Sequence, residues 1–252
     1  MDLQLENKKV LVTGGSKGIG KGIAKAFIAE GANVGIVARN EKDLHKAKRD
    51  LPGVQVFQAD LANENERTTV FSQFIDTFED IDILVNNVGG SSGGKTMETP
   101  VNQFEEAMQL NFFSAVQLSQ HAAKYMRKKK QGSIINISSI FGRESGGKPT
   151  YNSAKSAMIS FTKSLADELV EDGVRVNGVA PGSILHPTGN WQKRLEENPE
   201  KIEKFVNDQI PAGRFGTVEE VADVVLFLAS ERSRWVIGAT INVDGGQSKS
   251  NF

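Results

Sequence analysis

The stretch GGSKGIGKG, residues 14–22, lies between a short apolar run and an amphipathic segment, which indicates a strand, a loop and a helix. Counted from Gly15 it reads G-x-x-x-x-G-K, but Gly22 stands where a P-loop needs Ser or Thr to bind Mg²⁺. Counted from Gly14 it reads G-x-x-x-G-x-G, which is similar to a dinucleotide loop. Both interpretations place an anion on backbone N–H groups at a helix N-terminus. A glycine turn without a ligand is the third interpretation of the loop by itself.

The composition excludes several classes of protein. The chain has 252 residues, a formal net charge of −1 and no cysteine. This charge gives no field to attract nucleic acid or an anionic membrane, and the absence of cysteine excludes disulfides and thiolate catalysis. The three histidines, His45, His121 and His186, are far apart and match no metal motif, so we expect no metal. The N-terminus lacks a signal-peptide pattern and no apolar run approaches the roughly 20 residues of a membrane span, so we expect a cytoplasmic protein.

Short apolar runs alternate with longer amphipathic ones along the whole chain. After the glycine loop, Ile19, Ile23 and Phe27 recur every fourth residue, which predicts a helix that ends at Gly31. The alternation predicts an α/β fold: a single Rossmann-type domain over 1–252, with a doubly wound parallel sheet of about seven strands and helices on both faces. The predicted strands are VLVTG, NVGIVAR, VQVFQAD, IDILVNN, GSIINISS, VRVNGVAPG and ATINVDGG, and the longest predicted helices cover 100–128, 150–171 and 217–230.

The second predicted strand ends in Ala38 and Arg39, and this end bears on the choice of dinucleotide. Sheets that bind NAD commonly place an acid about 20 residues beyond the glycines, where it accepts a hydrogen bond from the ribose 2′-hydroxyl. Here a cation takes that place, and a guanidinium can bind a 2′-phosphate through two N–H groups. Lys17, inside the glycine loop, would lie near the same phosphate. The sequence therefore favours NADP(H), with NAD(H) as the alternative.

Tyr151 and Lys155 stand four residues apart in YNSAK, so they share one face of a predicted helix. A free phenol titrates near pH 10 and is a poor acid or base at neutrality. A fixed ammonium nearby favours the phenolate and lowers the pKa of the phenol. The pair is then able to give a proton to a carbonyl oxygen or take one from an alcohol, although such pairs also occur as surface contacts.

Five segments, TGGSKGIG, NNVGG, NISS, YNSAK and NGVAPGSI, occur in an order and at spacings that resemble the short-chain dehydrogenase/reductase family. The resemblance extends from Lys9 to Gly246 and includes the closing VDGG. It implies that Tyr151 is the acid/base, that Lys155 binds the nicotinamide ribose, and that Asn111 supports a proton-relay water. The cofactor-binding residues that it implies, together with the two cations, are Gly14, Ser16, Lys17, Gly18, Ile19, Gly20, Arg39, Asp60, Leu61, Asn87, Gly89, Tyr151, Lys155, Pro181, Gly182 and the backbone of Ile184.

The chain departs from the family pattern at two functional places. The usual spacing to the tyrosine puts the catalytic serine at Ser138, whereas an ungapped alignment of the strand puts it at Ser139. Successive strand side chains point to opposite faces, so only one of them can face a substrate, and strand register favours Ser139. His186 stands where the family commonly has a threonine that touches the carboxamide, with Thr188 beyond it. His186 then either reaches the substrate or is an ordinary loop residue.

These features predict an NADP(H)-dependent oxidoreductase that interconverts a carbonyl, such as a 3-oxoacyl group, and a secondary alcohol. The alternatives are an NAD-dependent sugar or alcohol dehydrogenase of the same family and, in another class, a dinucleotide sensor without catalysis. The substrate is expected to be set by a polar lid over about 185–213, in which Trp191 and Phe205 either face the substrate or pack together. The resemblance also implies a homotetramer, with a dimer as the alternative, assembled through the two long helices and the last strand.

Overall fold

One parallel sheet of seven strands organises the computed structural model, which describes residues 2–251. The strand order is β3-β2-β1-β4-β5-β6-β7, and all pairs are parallel. This confirms the predicted doubly wound α/β fold. The strands are β1 (Lys9–Thr13), β2 (Asn33–Ala38), β3 (Gln55–Gln58), β4 (Ile83–Asn86), β5 (Gly132–Ile137), β6 (Val174–Pro181) and β7 (Thr240–Val243).

Nine α-helices in the described part of the chain connect or follow the strands. They are α1 (Gly18–Ala29), α2 (Glu41–Asp50), α3 (Glu64–Phe78), α4 (Val101–Met108), α5 (Ser114–Lys129), α6 (Pro149–Leu169), α7 (Asn190–Glu197), α8 (Pro199–Gln209) and α9 (Val218–Ala229). Several begin at a side-chain cap: Asn40 accepts from Asp43 N–H at the start of α2, and Thr217 forms a capping box with Glu220 at the start of α9. No helix within residues 2–251 is long and apolar enough to cross a bilayer.

Alternating strand residues feed two separate hydrophobic cores, one on each face of the sheet. Val10 and Val12 of β1 lie in the core that also contains Phe27 of α1 and residues of α9. Leu11, between them, lies in the opposite core with Phe74 of α3. All of these side chains are fully buried. The period of two along the strand therefore explains why a continuous apolar run needs helices on both sides.

The strand order reverses at β1, which pairs with β2 on one side and β4 on the other. The chain leaves these neighbouring strands in opposite directions, so a crevice opens beyond their carboxyl ends. Ligands of open α/β sheets bind at such a switch point. The residues that follow β1 and β4 are the glycine loop and the NNVGG segment, which places both motifs at this crevice.

The helix predicted over 100–128 is interrupted. Residues Gln109–Phe113 form a π-helical turn between α4 and α5, and the N–H of Ser114 donates to the carbonyl of Gln109. Asn111 lies in this turn and is fully buried. Its side-chain N–H groups donate to the carbonyls of Ala107 and Gly90, at 2.9 and 3.0 Å. The interruption accompanies contacts between residues remote in sequence, which periodicity does not report; such turns are frequent at functional sites.

A chain of buried polar side chains crosses the centre of the sheet. Asn86 on β4 is directly opposite Asn136 on β5. The Asn86 amide donates to Asn136 Oδ1 at 2.9 Å and to Ser119 Oγ of α5 at 3.0 Å. The Asn136 amide donates to Thr162 Oγ1 of α6 at 2.9 Å. These bonds fix α5 and α6 relative to the two strands that carry the candidate serines and the NNVGG segment.

We expect Asn136→Ala to lower the free energy of unfolding by about 1–3 kcal/mol, because the buried Asn86 amide and the buried Thr162 hydroxyl each lose one hydrogen bond and keep only their bonds to Ser119 and Met158. Urea denaturation at fixed protein concentration measures this change. Asn102→Ala, at an exposed position of α4, is the matched control and should change stability by less than about 0.5 kcal/mol. Equal effects of the two substitutions would show that the polar chain does not stabilise the sheet.

Candidate functional site

A cavity of about 440 Å³ lies at the carboxyl edge of the sheet. Four segments that are remote in sequence form its walls: the glycine loop after β1, the loop after β4, the end of β5 with the start of α6, and the loop after β6. The lining residues are Gly14, Lys17–Gly20, Asn87–Ser91, Ile137–Ser139, Tyr151, Lys155, Pro181, Gly182, His186, Thr188 and Asn190. The cavity therefore brings together most of the residues that the motifs indicate.

The glycine loop needs glycine for two physical reasons. Gly14 and Gly18 have φ values of +63° and +54°, a region that costs energy for residues with a β-carbon. Gly20 has no room for one, because a β-carbon there would lie 2.4 Å from both Asn87 Nδ2 and the Gly14 carbonyl oxygen. The loop can therefore close tightly at the N-terminus of α1.

Thr13 and Asn87 tie the glycine loop to the end of β4. The Thr13 hydroxyl accepts from the backbone N–H groups of Asn87 and Val88 at 2.8 and 2.9 Å. The Asn87 side chain donates to the Thr13 carbonyl at 2.8 Å. Asn87 thus acts on the loop itself, in addition to lining the cavity. Thr13 was not among the predicted site residues, although a polar residue at the end of a buried strand is a signal that indicates such a role.

Gly22 lies away from the cavity. A β-carbon on Gly22 would stand 2.9 Å from the Val218 side chain, so this face of α1 packs against the start of α9. A P-loop needs a hydroxyl at this position that reaches Mg²⁺. The local packing leaves no space for one, which removes the triphosphate interpretation.

Ser138 and Ser139 point in different directions, as strand alternation requires. The Ser138 hydroxyl donates to the backbone carbonyl of Lys155 at 3.0 Å, which fastens α6 to the end of β5. The Ser139 hydroxyl accepts from Phe141 N–H at 3.2 Å and forms a hydrogen bond with the side chain of Tyr151. Ser139 is thus the serine next to the phenol, and its catalytic role stays a prediction.

Tyr151 and Lys155 line the same wall, and burial dominates the electrostatics of both. Burial raises the pKa of the Tyr151 phenol above its usual range, and the hydrogen bond with Ser139 opposes that shift. Burial lowers the pKa of Lys155 to about 8. The Lys155 ammonium lies 5.5 Å from the centre of the Tyr151 ring and donates to the Ile137 carbonyl at 2.8 Å. The expected lowering of the phenol pKa by Lys155 is therefore not seen: desolvation of the phenolate raises this pKa, and the group that opposes the rise is Ser139.

Asn111 acts on the loop after β4. Its amide oxygen accepts from Gly90 N–H at 3.0 Å, so the side chain holds Gly90 at both its N–H and its carbonyl. A β-carbon on Gly89 would lie 2.7 Å from Asn111 Oδ1 and 3.2 Å from Lys155 Nζ. Gly89 therefore lets the amide and the ammonium approach one another beneath the cavity floor. Asn111 itself does not reach the cavity wall, and its predicted proton-relay role stays a prediction.

A second, open cavity adjoins the ends of β2 and β3. It is lined by Arg39, Asn40, Gln58, Ala59, Asp60 and Glu66. Asp60 accepts from Ala62 N–H at 3.0 Å and is held in turn through its own N–H by Glu66 at 2.7 Å. Lys17 forms an ion pair with Asp43 of α2 at 2.6 Å. Lys17 therefore lies beside the first turn of α2, and Arg39 lines the cavity next to Asn40, the residue that caps this helix.

Three predicted cofactor residues, Ser16, Leu61 and Ile184, lie outside both sets of lining residues. The Leu61 side chain is buried in the core, and its carbonyl accepts from Arg67. The Ile184 side chain is also buried, and its backbone bridges to Gly216. The cofactor contacts predicted for Leu61 and Ile184 therefore stay predictions that involve their backbone atoms. Gln58 and Glu66 were not predicted, because nothing in their local sequence separates them from exposed polar residues.

The segment 185–213 forms α7 and α8, which pack on one another through aromatic side chains. The ring of Trp191 lies 4.6 Å from that of Phe205 and 5.2 Å from that of Phe215, measured between centres. The sequence left open whether Trp191 and Phe205 face the substrate or pack. In the structure their rings pack against one another. His186, by contrast, lines the main cavity, and its ring rests on Gly18.

The C-terminal residues brace the loop after β6. The Gln247 side chain accepts from Ser183 N–H at 2.8 Å. The Glu144 carboxylate accepts from Lys249 N–H at 3.0 Å, which joins the same tail to the loop after β5. No group of three His, Asp or Glu side chains able to hold a metal ion occurs in the described part of the chain. The polar side chains that line the cavity carry hydroxyl, amide, ammonium and imidazole groups.

Several known proteins are similar to this chain along nearly their whole length. The family model described as enoyl-(acyl carrier protein) reductase matches residues 14–248. The 3-oxoacyl-(acyl-carrier-protein) reductase FabG of Thermotoga maritima is 35% identical over 97% of this chain and 99% of its own. L-xylulose reductase of Bos taurus is 36% identical over 98% of each chain. The structure of L-sorbose reductase from Gluconobacter frateurii, complexed with NADPH and L-sorbose, superimposes with a TM-score of 0.93 at 32% identity over 99% of this chain and 100% of that chain.

The similarity covers the elements that build the cavity, from the glycine loop through the serine and tyrosine segments to the loop after β6. The named relatives are reductases, and each matches this chain from end to end. The resemblance noted from the motifs is confirmed by these matches. The chain belongs to the short-chain dehydrogenase/reductase family and is an oxidoreductase of that family.

Proposed function

We propose that this enzyme interconverts a ketone and a secondary alcohol with NADP(H), and that Tyr151 is its acid/base. The observation that carries the proposal is the group formed by Ser139, Tyr151 and Lys155 on one wall of the cavity whose opposite wall is the glycine loop. A substrate oxygen placed between the two hydroxyl groups would meet a proton donor and a hydrogen-bond donor at once. That arrangement suits a carbonyl that gains negative charge during reduction.

The residues present fit a dinucleotide. Gly14, Gly18 and Gly20 let the loop close tightly, and they line the cavity at the N-terminus of α1, where N–H groups favour an anion. Pro181 and Gly182 line the cavity on the side near Tyr151 and Lys155, where the nicotinamide would lie. When bound, the nicotinamide supplies or accepts the hydride. The proposed roles of the glycine loop, Asn87 and Gly89 are to hold the two phosphates and the adenosine ribose.

The chain's own groups would handle the proton. Burial keeps Tyr151 in its protonated form at neutral pH, the form that reduction requires. Its O–H would donate the proton to the oxygen of the ketone, while Ser139 donates a hydrogen bond to that oxygen. Lys155 would bind the nicotinamide ribose and, with Asn111, return a proton from solvent to the phenolate. The positive charge of Lys155 stabilises the phenolate that remains after the transfer.

The cations at the ends of β1 and β2 favour NADP(H) over NAD(H). Arg39 lines the second cavity, and a 2′-phosphate there would receive its guanidinium N–H groups. The Lys17–Asp43 pair is partly exposed, so exchange of Asp43 for a phosphate costs little. The solved L-sorbose reductase, similar over the whole chain, is complexed with NADPH. An NAD-dependent sugar or alcohol dehydrogenase is the alternative that binding measurements separate from this proposal.

The substrate class is a ketone of the kind that the relatives' names describe: a 3-oxoacyl group or a keto sugar. The loops at 89–91 and 186–190 also line the cavity, and Ser91 and Asn190 among their residues are polar. This lining gives hydrogen-bond partners for hydroxyl groups near the reacting carbon, which supports the keto sugar as a substrate. A thioester would extend past the same loops toward solvent.

Replacement of Tyr151 by Phe tests the catalytic assignment. Removal of the acidic O–H should lower kcat for ketone reduction at least about 100-fold, because positioned proton transfer contributes that much or more. NADPH affinity should stay within about threefold, since the ring remains. Consumption of NADPH with a panel of keto sugars and 3-oxoacyl thioesters gives kcat, and calorimetry gives affinity.

The only other tyrosine, Tyr125, packs on Phe71 and supplies the matched control, Tyr125→Phe. Retention of more than a tenth of the turnover in the Tyr151 variant excludes it as the acid.

Arg39→Ala tests the choice of dinucleotide. We expect it to weaken NADPH binding about tenfold or more and NADH binding less than about twofold, because only NADPH carries the 2′-phosphate. Asp43→Asn, which removes the partner of Lys17, is expected to tighten NADPH binding. Lys42→Ala, an exposed cation in the same turn of α2, is the control. Equal losses for both dinucleotides would contradict the assignment of Arg39 to the phosphate.

We further propose that the enzyme is a homotetramer. Large apolar side chains are exposed on the elements that the family resemblance assigns to subunit contacts: Val101 of α4, Phe113 of the π turn, Val170 after α6, and Trp235, which is 94% exposed just before β7. Strand β7 is the edge of the sheet and is only half-buried along its length. Exposed apolar groups of this size are typical of interfaces.

Light scattering during size exclusion measures this state directly. We expect a mass near four chains for the parent protein and a smaller mass for Trp235→Glu, which puts a charge into the proposed contact. Lys193→Glu, on the exposed side of α7, should leave the mass unchanged. A monomeric parent protein rules out the tetramer.

A further inference from the structure

His186 occupies a defined place between two glycines at the mouth of the main cavity. A β-carbon on Gly18 would lie 2.8 Å from Cε1 and 2.9 Å from Nε2 of its ring. A β-carbon on Gly189 would lie 2.8 Å from the same Nε2. The ring therefore stacks on the first residue of α1 on one side and on its own loop on the other. No larger residue than glycine fits at either contact without displacing the ring.

The first turn of α1 beside this ring is built to receive an anion. Lys17, the residue that caps α1, contributes no side-chain hydrogen bond to the helix. Gly18, Ile19 and Gly20 line the cavity at this turn. Helix N-termini in this position of a Rossmann-type fold hold the diphosphate of a dinucleotide. His186 thus lies in contact with Gly18, at the end of the cavity where the diphosphate would bind.

The Thr188 hydroxyl lies 3.2 Å from Nδ1 of His186, and it donates or accepts there according to the tautomer of the ring. If the hydroxyl donates to Nδ1, the proton of the neutral ring is on Nε2, the nitrogen that lies against Gly18. Burial lowers the pKa of His186, so the ring is neutral at pH 7 and one nitrogen alone carries a proton. An anion next to Nε2 selects the same tautomer, because a lone pair there would be repelled.

We propose that His186 binds the diphosphate of the dinucleotide by donating a hydrogen bond from Nε2–H, beside the N–H groups of the first turn of α1. This inference rests on the proposed use of a dinucleotide, and it assigns His186 to the cofactor and not to the ketone. Thr188 is a positioning residue in this scheme, since it acts through the ring. The other titratable groups that line the cavity are Lys17, Tyr151 and Lys155, and each of them has a separate partner in the structure.

Three probes of different composition locate the contact. NADPH carries the diphosphate and the nicotinamide, 2′-phospho-ADP-ribose carries the diphosphate without the nicotinamide, and 2′-AMP carries neither. Calorimetry on the full chain measures the affinity of each, and thermal unfolding shows whether each variant is folded. His186→Leu fills the space without an N–H group, whereas His186→Gln restores an N–H donor of similar reach.

We expect His186→Leu to weaken NADPH and 2′-phospho-ADP-ribose equally, by about tenfold or more, and to leave 2′-AMP within about twofold. His186→Gln should recover most of the loss. Thr188→Val should weaken the same two ligands by a smaller factor, because the tautomer is then no longer fixed.

Other results overturn the inference. A loss for NADPH alone would place His186 on the nicotinamide, and unchanged affinities would make the ring a packing residue. Equal losses in the Leu and Gln variants would show that ring shape, not the N–H group, is what matters. If the parent protein binds 2′-AMP but neither dinucleotide ligand, the proposed function itself fails, which is a separate result from failure of His186.

Discussion

The hydroxyl of Thr13 is the contact on which the site depends. It donates to the carbonyl of Val85 and accepts from the N–H groups of Asn87 and Val88, so one oxygen joins the ends of β1 and β4. These strands are the pair at which the sheet changes direction. Without this hydroxyl, the two loops would lose three hydrogen bonds and keep those of the Asn87 side chain to the carbonyls of Thr13 and Gly14. With it, both loops become parts of one rigid wall, and glycine is then required wherever the two backbones nearly touch.

The fold could be read from the sequence because its signals are local and repeated. Strands such as β1 are short apolar runs, and α1 shows its buried face through Ile23 and Phe27. The choice between Ser138 and Ser139 also followed from the alternation of a strand. Contacts between residues remote in sequence could not be predicted in this way: Asn111 in the π turn at Gln109–Phe113, for example, accepts a hydrogen bond from the Gly90 loop.

The electrostatics of the site show the same limit of prediction from the sequence. Spacing placed Tyr151 and Lys155 on one helix face, and it correctly brought the phenol and the ammonium together. It could not show how deeply both are buried, and burial reverses the expected direction of the phenol pKa. The cofactor-binding residues that the family resemblance implies also fall into two groups. The glycines line the cavity, whereas the side chains of Leu61 and Ile184 are in the core.

The π turn between α4 and α5 has a consequence for how this chain tolerates changes of length. It contains one residue more than an α-helical path between the same points, and each residue of an α-helix turns the following ones by about 100°. Deletion of a single residue there would make the helix regular but would rotate Ser119 away from Asn86, or Asn111 away from Gly90. A chain with this deletion cannot keep both the hydrogen bond between Ser119 and Asn86 and the one between Asn111 and Gly90. The number of residues between Ala107 and Ser119 is therefore fixed, and surface loops such as the one around Gly53 are the places where insertions and deletions can accumulate.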